Sequence, residues 1–153
     1  MRLILLTLMV LTCGSTLSAV EFPLSGTTLA GTKLEIDPVK RGRPLVLVFW
    51  ASWCGVCVRE MPALRRFHRE VGERLDLVSC TIDTEVDAAR ASAARNQLGY
   101  PVILDGDLAI GGKFAVDATP TMILFAADGK ELARGRSLGQ LTEALTRLGI
   151  TKP

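Results

Sequence analysis

Cys54 and Cys57, in Trp53-Cys54-Gly55-Val56-Cys57, are the side chains of this sequence best placed to do chemistry. Cysteines at this spacing can close a small disulfide ring. The first stands where a helix begins, so free amides and the helix dipole favour its thiolate over its thiol. A thiolate attacks disulfide sulfur, and the pair reads as a thiol–disulfide exchange motif. A structural bridge or half of a zinc site are the competing readings. Zinc takes about four ligands, mostly Cys or His. Cys13, Cys80 and His68 are the remaining candidates, and none forms a second paired motif. A purely structural bridge has no need of a strand-to-helix corner preceded by a tryptophan.

The corner follows from its flanks. Pro44–Trp50 reads as a strand buried on both faces. Cys57–Val71 reads as a helix, with Met61, Leu64, Phe67 and Val71 at helical spacing and Pro62 near its start. Before the corner, residues 22–37 form a polar lead with one short strand at Lys33–Ile36. After it come a strand over Leu75–Asp83, an Ala-rich helix over Glu85–Leu98 stopped by Gly99, and a short strand at Pro101–Leu104. A brief helical piece at Leu108–Phe114 precedes a hairpin, Thr121–Ala126 and Glu131–Gly135 around Asp128-Gly129. An amphipathic helix at Gly139–Leu148 closes the chain. Cys80 falls in a central strand and is expected to be buried. His68, at the edge of an apolar helical face, is expected to be a half-buried structural residue. Trp50 and Trp53 are expected to pack in the core and beside the motif.

The 153 residues suffice for one domain with a core, and 48% hydrophobic against 22% charged residues describes a globular chain. The net charge of +2 has no block of like charges behind it, so nothing argues for nucleic acid. Residues 1–19 read as an export signal: Arg2, an apolar run over Leu3–Leu11, then small and polar residues to Ala19. Two other readings stay open there, lipidation at Cys13 and an uncleaved membrane anchor. Export implies an oxidising compartment, the periplasm or the outer face of the cytoplasmic membrane.

Phe49-Trp50-Ala51-Ser52-Trp53-Cys54, Cys57-Val58-Arg59-Glu60-Met61-Pro62, Tyr100-Pro101-Val102-Ile103-Leu104-Asp105 and Ala118-Thr119-Pro120-Thr121 together resemble the thioredoxin superfamily, specifically its TlpA/ResA-like exported thiol–disulfide oxidoreductases. The resemblance covers roughly Phe22 to Gly149. It implies an α/β, thioredoxin-like fold over residues 20–153, with a mixed central sheet and helices on both faces. It also implies that Thr119-Pro120 is a cis bond facing the motif. Spacing alone leaves an ordinary loop proline equally open. Trp53, Thr119 and Pro120 become the substrate-facing residues, with Thr119 pairing to the substrate backbone. Glu60, one turn after Cys57, would by itself read as a solvated helix-face residue. The resemblance makes it a proton carrier for Cys57. Three positions depart from the pattern. Val56 stands where proline is usual, Val48 where cytosolic thioredoxins bury an aspartate, and the loop before Pro120 lacks the glycine of the cytochrome-maturation branch.

The expected activity is therefore reduction of disulfides in other exported proteins, with no cofactor and with a membrane electron donor to recharge the pair. The same chemistry run as an oxidase or isomerase is the nearest alternative. A Cu(I)-binding module using both thiolates is more distant. A thiol peroxidase would need Thr or Ser where Ala51 stands.

Overall fold

Leu45–Trp50 (β3) contains no polar residue, and all six positions are buried. Such a strand can only sit in the middle of a covered sheet. The computed structural model of the protein describes residues 22–150. The expected export signal over 1–19 and Cys13 lie outside them. Among the described residues, no helix is long and apolar enough to cross a membrane.

Around β3 lie Asp76–Thr81 (β4), Val102–Leu104 (β5), Thr121–Phe125 (β6) and Glu131–Gly135 (β7), in the order β5-β4-β3-β6-β7. β3, β4 and β5 are parallel, while β6 and β7 run antiparallel to their neighbours. The sheet is therefore mixed, as expected. Side chains alternate along β3. Val46 and Val48 face Leu64, Phe67 and Val71 of Gly55–Val71 (α2) and Leu138, Leu141 and Leu145 of Leu138–Arg147 (α4). Leu45, Leu47 and Phe49 face the other way. There they meet Phe114, in a 3₁₀ turn at Gly111–Phe114, together with Leu24 and Ile36. Fully burying one such side chain stabilises the fold by about 1.5–3 kcal/mol.

Leu24 and Ile36 belong to a two-stranded antiparallel ribbon, Leu24–Thr27 (β1) with Lys33–Ile36 (β2). The sequence reading finds β2 and misses β1, because Leu-Ser-Gly-Thr carries one apolar residue and a glycine. A short helix at Pro38–Arg41 (α1), capped by Asp37, also escapes it. The helix expected over Glu85–Leu98 is shorter, Val86–Arg95 (α3). It stops at Asn96 and not at Gly99. Gln97 takes φ 51°, its N–H donates to Ala94 O, and Leu98 N–H donates to Ala93 O. This is a Schellman turn with glutamine in the position glycine usually holds. α2 runs unbroken through Pro62, which lies on its exposed side.

One register positions the site. Trp50 pairs with Thr81 on one flank of β3, and Phe49 pairs with Thr121 on the other. The segment leaving β3 thus emerges beside both the end of β4 and the loop that enters β6.

Candidate active site

β3 ends at Trp50, and the chain turns sharply before α2. Cys54 N–H donates to Ala51 O at 3.1 Å, and Val58 N–H donates to Cys54 O at 3.1 Å to open the helix. Cys54 is the N-cap residue. Its Sγ accepts the Cys57 N–H at 3.2 Å, so a first-turn amide that has no backbone partner points at this sulfur. Cys54 and Cys57 form a disulfide, with Cα atoms 5.2 Å apart. Cys57 is 2% exposed and Cys54 8%, which leaves Cys54 the more accessible residue of the pair.

Cys57 lines a small cavity with Glu60, Val48, Trp50, Tyr100 and Pro120. Its volume is about 10 Å³, near the lower limit for a single water. The sequence-predicted residues Cys57, Glu60 and Pro120 are thus brought together. The Thr119–Pro120 peptide bond is cis, Pro120 is buried and Thr119 is half-buried. Thr121 Oγ1 donates to Ala118 O at 2.6 Å and ties the loop down. Glu60 is half-buried and not a solvated surface residue, and its Oε2 accepts the N–H of Leu138 at 2.9 Å. Leu138 is the first residue of α4, so the carboxylate beneath the motif also caps a second helix. Tyr100 closes the far wall; burial pushes its phenol well up from the usual range.

The two tryptophans separate. Trp50 is buried, and its indole N–H donates to Ser79 Oγ at 3.2 Å. Trp53, expected to pack beside the motif, is instead 71% exposed. Like half-exposed Val56, it presents apolar surface to solvent within two residues of Cys54 in the chain. His68 is half-buried, as expected, and its ring packs edge-to-face on Tyr100 with the centroids 5.6 Å apart. Cys80 is fully buried on the sheet face away from α2. Burial, helped by the nearby Asp105 charge, pushes its thiol well up. It is held as a thiol at neutral pH. Among the described residues, no three His, Cys, Asp or Glu side chains cluster as a metal site.

One constellation is absent from the sequence reading. Asp83, just beyond β4, is buried and receives both the N–H and the hydroxyl of Ser52, two residues before Cys54. The available signal is its position at the carboxyl end of a central strand, where sites in α/β sheets gather.

A family model described as Redoxin matches residues 14–140. The thiol-disulfide oxidoreductase ResA of Bacillus cereus is 30% identical over 105 residues, covering 68% of this chain and 60% of that protein. The soluble secreted antigen MPT53 of Mycobacterium bovis is 27% identical over 105 residues, covering 69% and 60%. The chain thus spans about 60% of the length of these curated relatives. A solved thiol-disulfide oxidoreductase from Bacteroides fragilis superposes with a TM-score of 0.72 at 27% identity, over 82% of this chain and 96% of that one.

Proposed function

This chain belongs to the Redoxin family of thioredoxin-like proteins, and from that membership we propose that it is an exported thiol–disulfide oxidoreductase working in the reducing direction. The observation that carries the reading is the Cys54–Cys57 disulfide at the N-terminus of α2, with Glu60 and Pro120 lining one cavity with Cys57. In the reduced protein, the Cys54 thiolate attacks one sulfur of a substrate disulfide. A Cys54–substrate bond forms, and the substrate disulfide breaks, its other sulfur leaving as a thiolate that takes up a proton. Cys57 then loses its proton to Glu60 and attacks the Cys54 sulfur. The mixed disulfide breaks, and the second substrate sulfur leaves as a thiolate that takes up the proton Glu60 received. The substrate gains two electrons and the domain becomes the Cys54–Cys57 disulfide. A membrane electron donor must return those two electrons in an oxidising compartment.

The substrate is an extended segment flanking a disulfide in another exported protein. Trp53 and Val56 offer it an apolar rim. Among the described residues, the N–H and C=O of Thr119 have no backbone partner, and they are available to add a short strand. Residues 1–19 act as the export signal in this reading. The secreted relative from Mycobacterium bovis supports an exported location.

The test is to equilibrate the Cys54/Cys57 pair in glutathione buffers and to follow reduction of a disulfide-bonded protein. Known oxidoreductases of this kind span roughly −270 to −120 mV. A potential in the lower half of that range, with stoichiometric reduction of the protein disulfide, is expected. A potential near the upper end would assign the oxidase direction.

A further inference from the structure

Asp83 is 4% exposed and has no cationic partner among the described residues. A buried carboxylate is costly unless its oxygens are occupied. Here they are occupied by Ser52 and Thr81. Ser52 N–H reaches Oδ2 at 2.8 Å and Oδ1 at 3.1 Å, and Ser52 O–H reaches Oδ1 at 2.7 Å. Thr81 O–H donates to Oδ2 at 2.5 Å, and its oxygen accepts the Asp83 N–H at 3.3 Å. The anchor is itself tied to its neighbours. Ile82 N–H donates to Trp50 O at 2.9 Å, and a Cβ on Gly106 would lie 2.7 Å from Asp83 O.

Everything Asp83 grips through Ser52 lies in the turn that delivers Cys54. Ala51 is fully buried and accepts the Cys54 N–H, so Ala51–Cys54 is fastened at both ends once Ser52 is held. The Cys54 sulfur lies 3.2 Å from the Cys57 N–H. A hydrogen bond weakens steeply with small displacements, so this contact depends on where the turn is held. We propose that Asp83, acting through Ser52, is a positioning residue for thiol–disulfide exchange: it fixes the turn that sets the Cys54 sulfur against the Cys57 amide in the first turn of α2. The inference rests on the reading of Cys54 as the attacking thiol.

Ser52→Ala is the informative variant. It removes the hydroxyl grip and leaves the Asp83 carboxylate, Cys57, Glu60 and Arg59, which reaches back over Gly55, as they are. The measurement is the rate of iodoacetamide alkylation at Cys54 in the reduced protein across pH, read by mass spectrometry, with thermal unfolding followed alongside. Loss of one supporting hydrogen bond corresponds to about a fivefold effect. Ser52→Ala is therefore expected to slow alkylation about fivefold below the thiol pKa and to move that pKa upward, with Ser52→Thr restoring both. In an Asp83→Asn background the same change should add little, because the two residues act as one unit. A folded Ser52→Ala protein with the wild-type profile would overturn the proposal. So would an equal effect of Ser52→Ala with and without Asp83. A wild-type Cys54 that alkylates no faster than an ordinary thiol would instead overturn the reading of Cys54 as the nucleophile.

Discussion

Glu60 Oε2 accepts the backbone N–H of Leu138 at 2.9 Å, joining residues 78 positions apart. The contact ties the helix that carries the cysteines to the first turn of α4. Ser137 fills another of that helix's open amides, Gln140 N–H, at 3.3 Å. Leu138, Leu141 and Leu145 then bury against the same cluster as Leu64 and Phe67 of α2. One carboxylate therefore has two tasks, capping α4 and lining the cavity beside Cys57.

Glutamine separates those tasks. Glu60→Gln keeps a carbonyl oxygen for Leu138, whereas Glu60→Ala leaves that amide without an acceptor. Stability is expected to be near wild type for Gln and lower by about 1–3 kcal/mol for Ala. If Glu60 carries the Cys57 proton, both variants slow turnover by about a hundredfold, the lower end for general acid–base catalysis. The first attack by Cys54 stays intact in each. Turnover is to be followed against pH for the wild type and both variants. A Glu60→Gln protein with the wild-type pH profile would leave Glu60 as a cap and nothing more.

The two cysteines are expected to differ in kind. Cys54 holds the N-cap position with an amide aimed at its sulfur, and Cys57 is sealed one turn inside. Cys54→Ser should abolish attack on a disulfide substrate. Cys57→Ser should accumulate a mixed disulfide, visible as a mass increment equal to the substrate. Brief alkylation of the reduced protein near neutral pH should label Cys54 first. Preferential labelling of Cys57 would reverse the assignment.

The motif and its supporting strand are legible because each is a local pattern. β3 is an unbroken apolar run, and Asp128-Gly129 marks the hairpin so clearly that β7 has the expected bounds of Glu131–Gly135. What escapes the sequence is set by distant partners. β1 owes its strand to pairing with β2, not to its own Leu-Ser-Gly-Thr. α3 ends where Gln97 adopts a left-handed turn that its residue type does not announce. Helical spacing puts Glu60 beneath the motif, but its bond to Leu138 depends on how α4 packs. Asp83 reads as the tail of a strand until Ser52 is seen across 31 residues.

Cys80 gives the protein an alkaline liability. Its thiol is raised well above the ordinary value of 9.0, mainly by burial. Tyr100 is raised above its ordinary 10.0 for the same reason. In each case the unfolded chain releases its proton before the folded one does. The stability is therefore fully present below the unfolded pKa and is lost as pH climbs from there toward the folded value. Denaturant midpoints of the oxidised protein are expected to fall from about pH 9 upward, more steeply past the tyrosine range. Cys80→Ala should flatten the first part of that decline and cost about 1 kcal/mol at neutral pH. It should leave turnover unchanged. A wild-type slope retained in Cys80→Ala would place the alkaline transition elsewhere.

Val56 is the residue through which the redox poise can be moved without replacing either sulfur. It occupies the second position of α2, is 47% exposed, and its N–H has no acceptor among the described residues. Proline is tolerated in a first helical turn because the amide it removes is not needed there. The preceding residue, Gly55, is the one best able to accept a proline neighbour. Proline stiffens the open dithiol form as well as the closed ring, so less chain entropy is lost on closure. A gain of about 0.4–1 kcal/mol for the disulfide corresponds to about 10–20 mV in this two-electron couple. Val56→Pro is therefore expected to fold normally and to lower the Cys54/Cys57 potential by that amount in glutathione buffers. A potential that rises would show that proline strains the closed ring more than it restrains the open one.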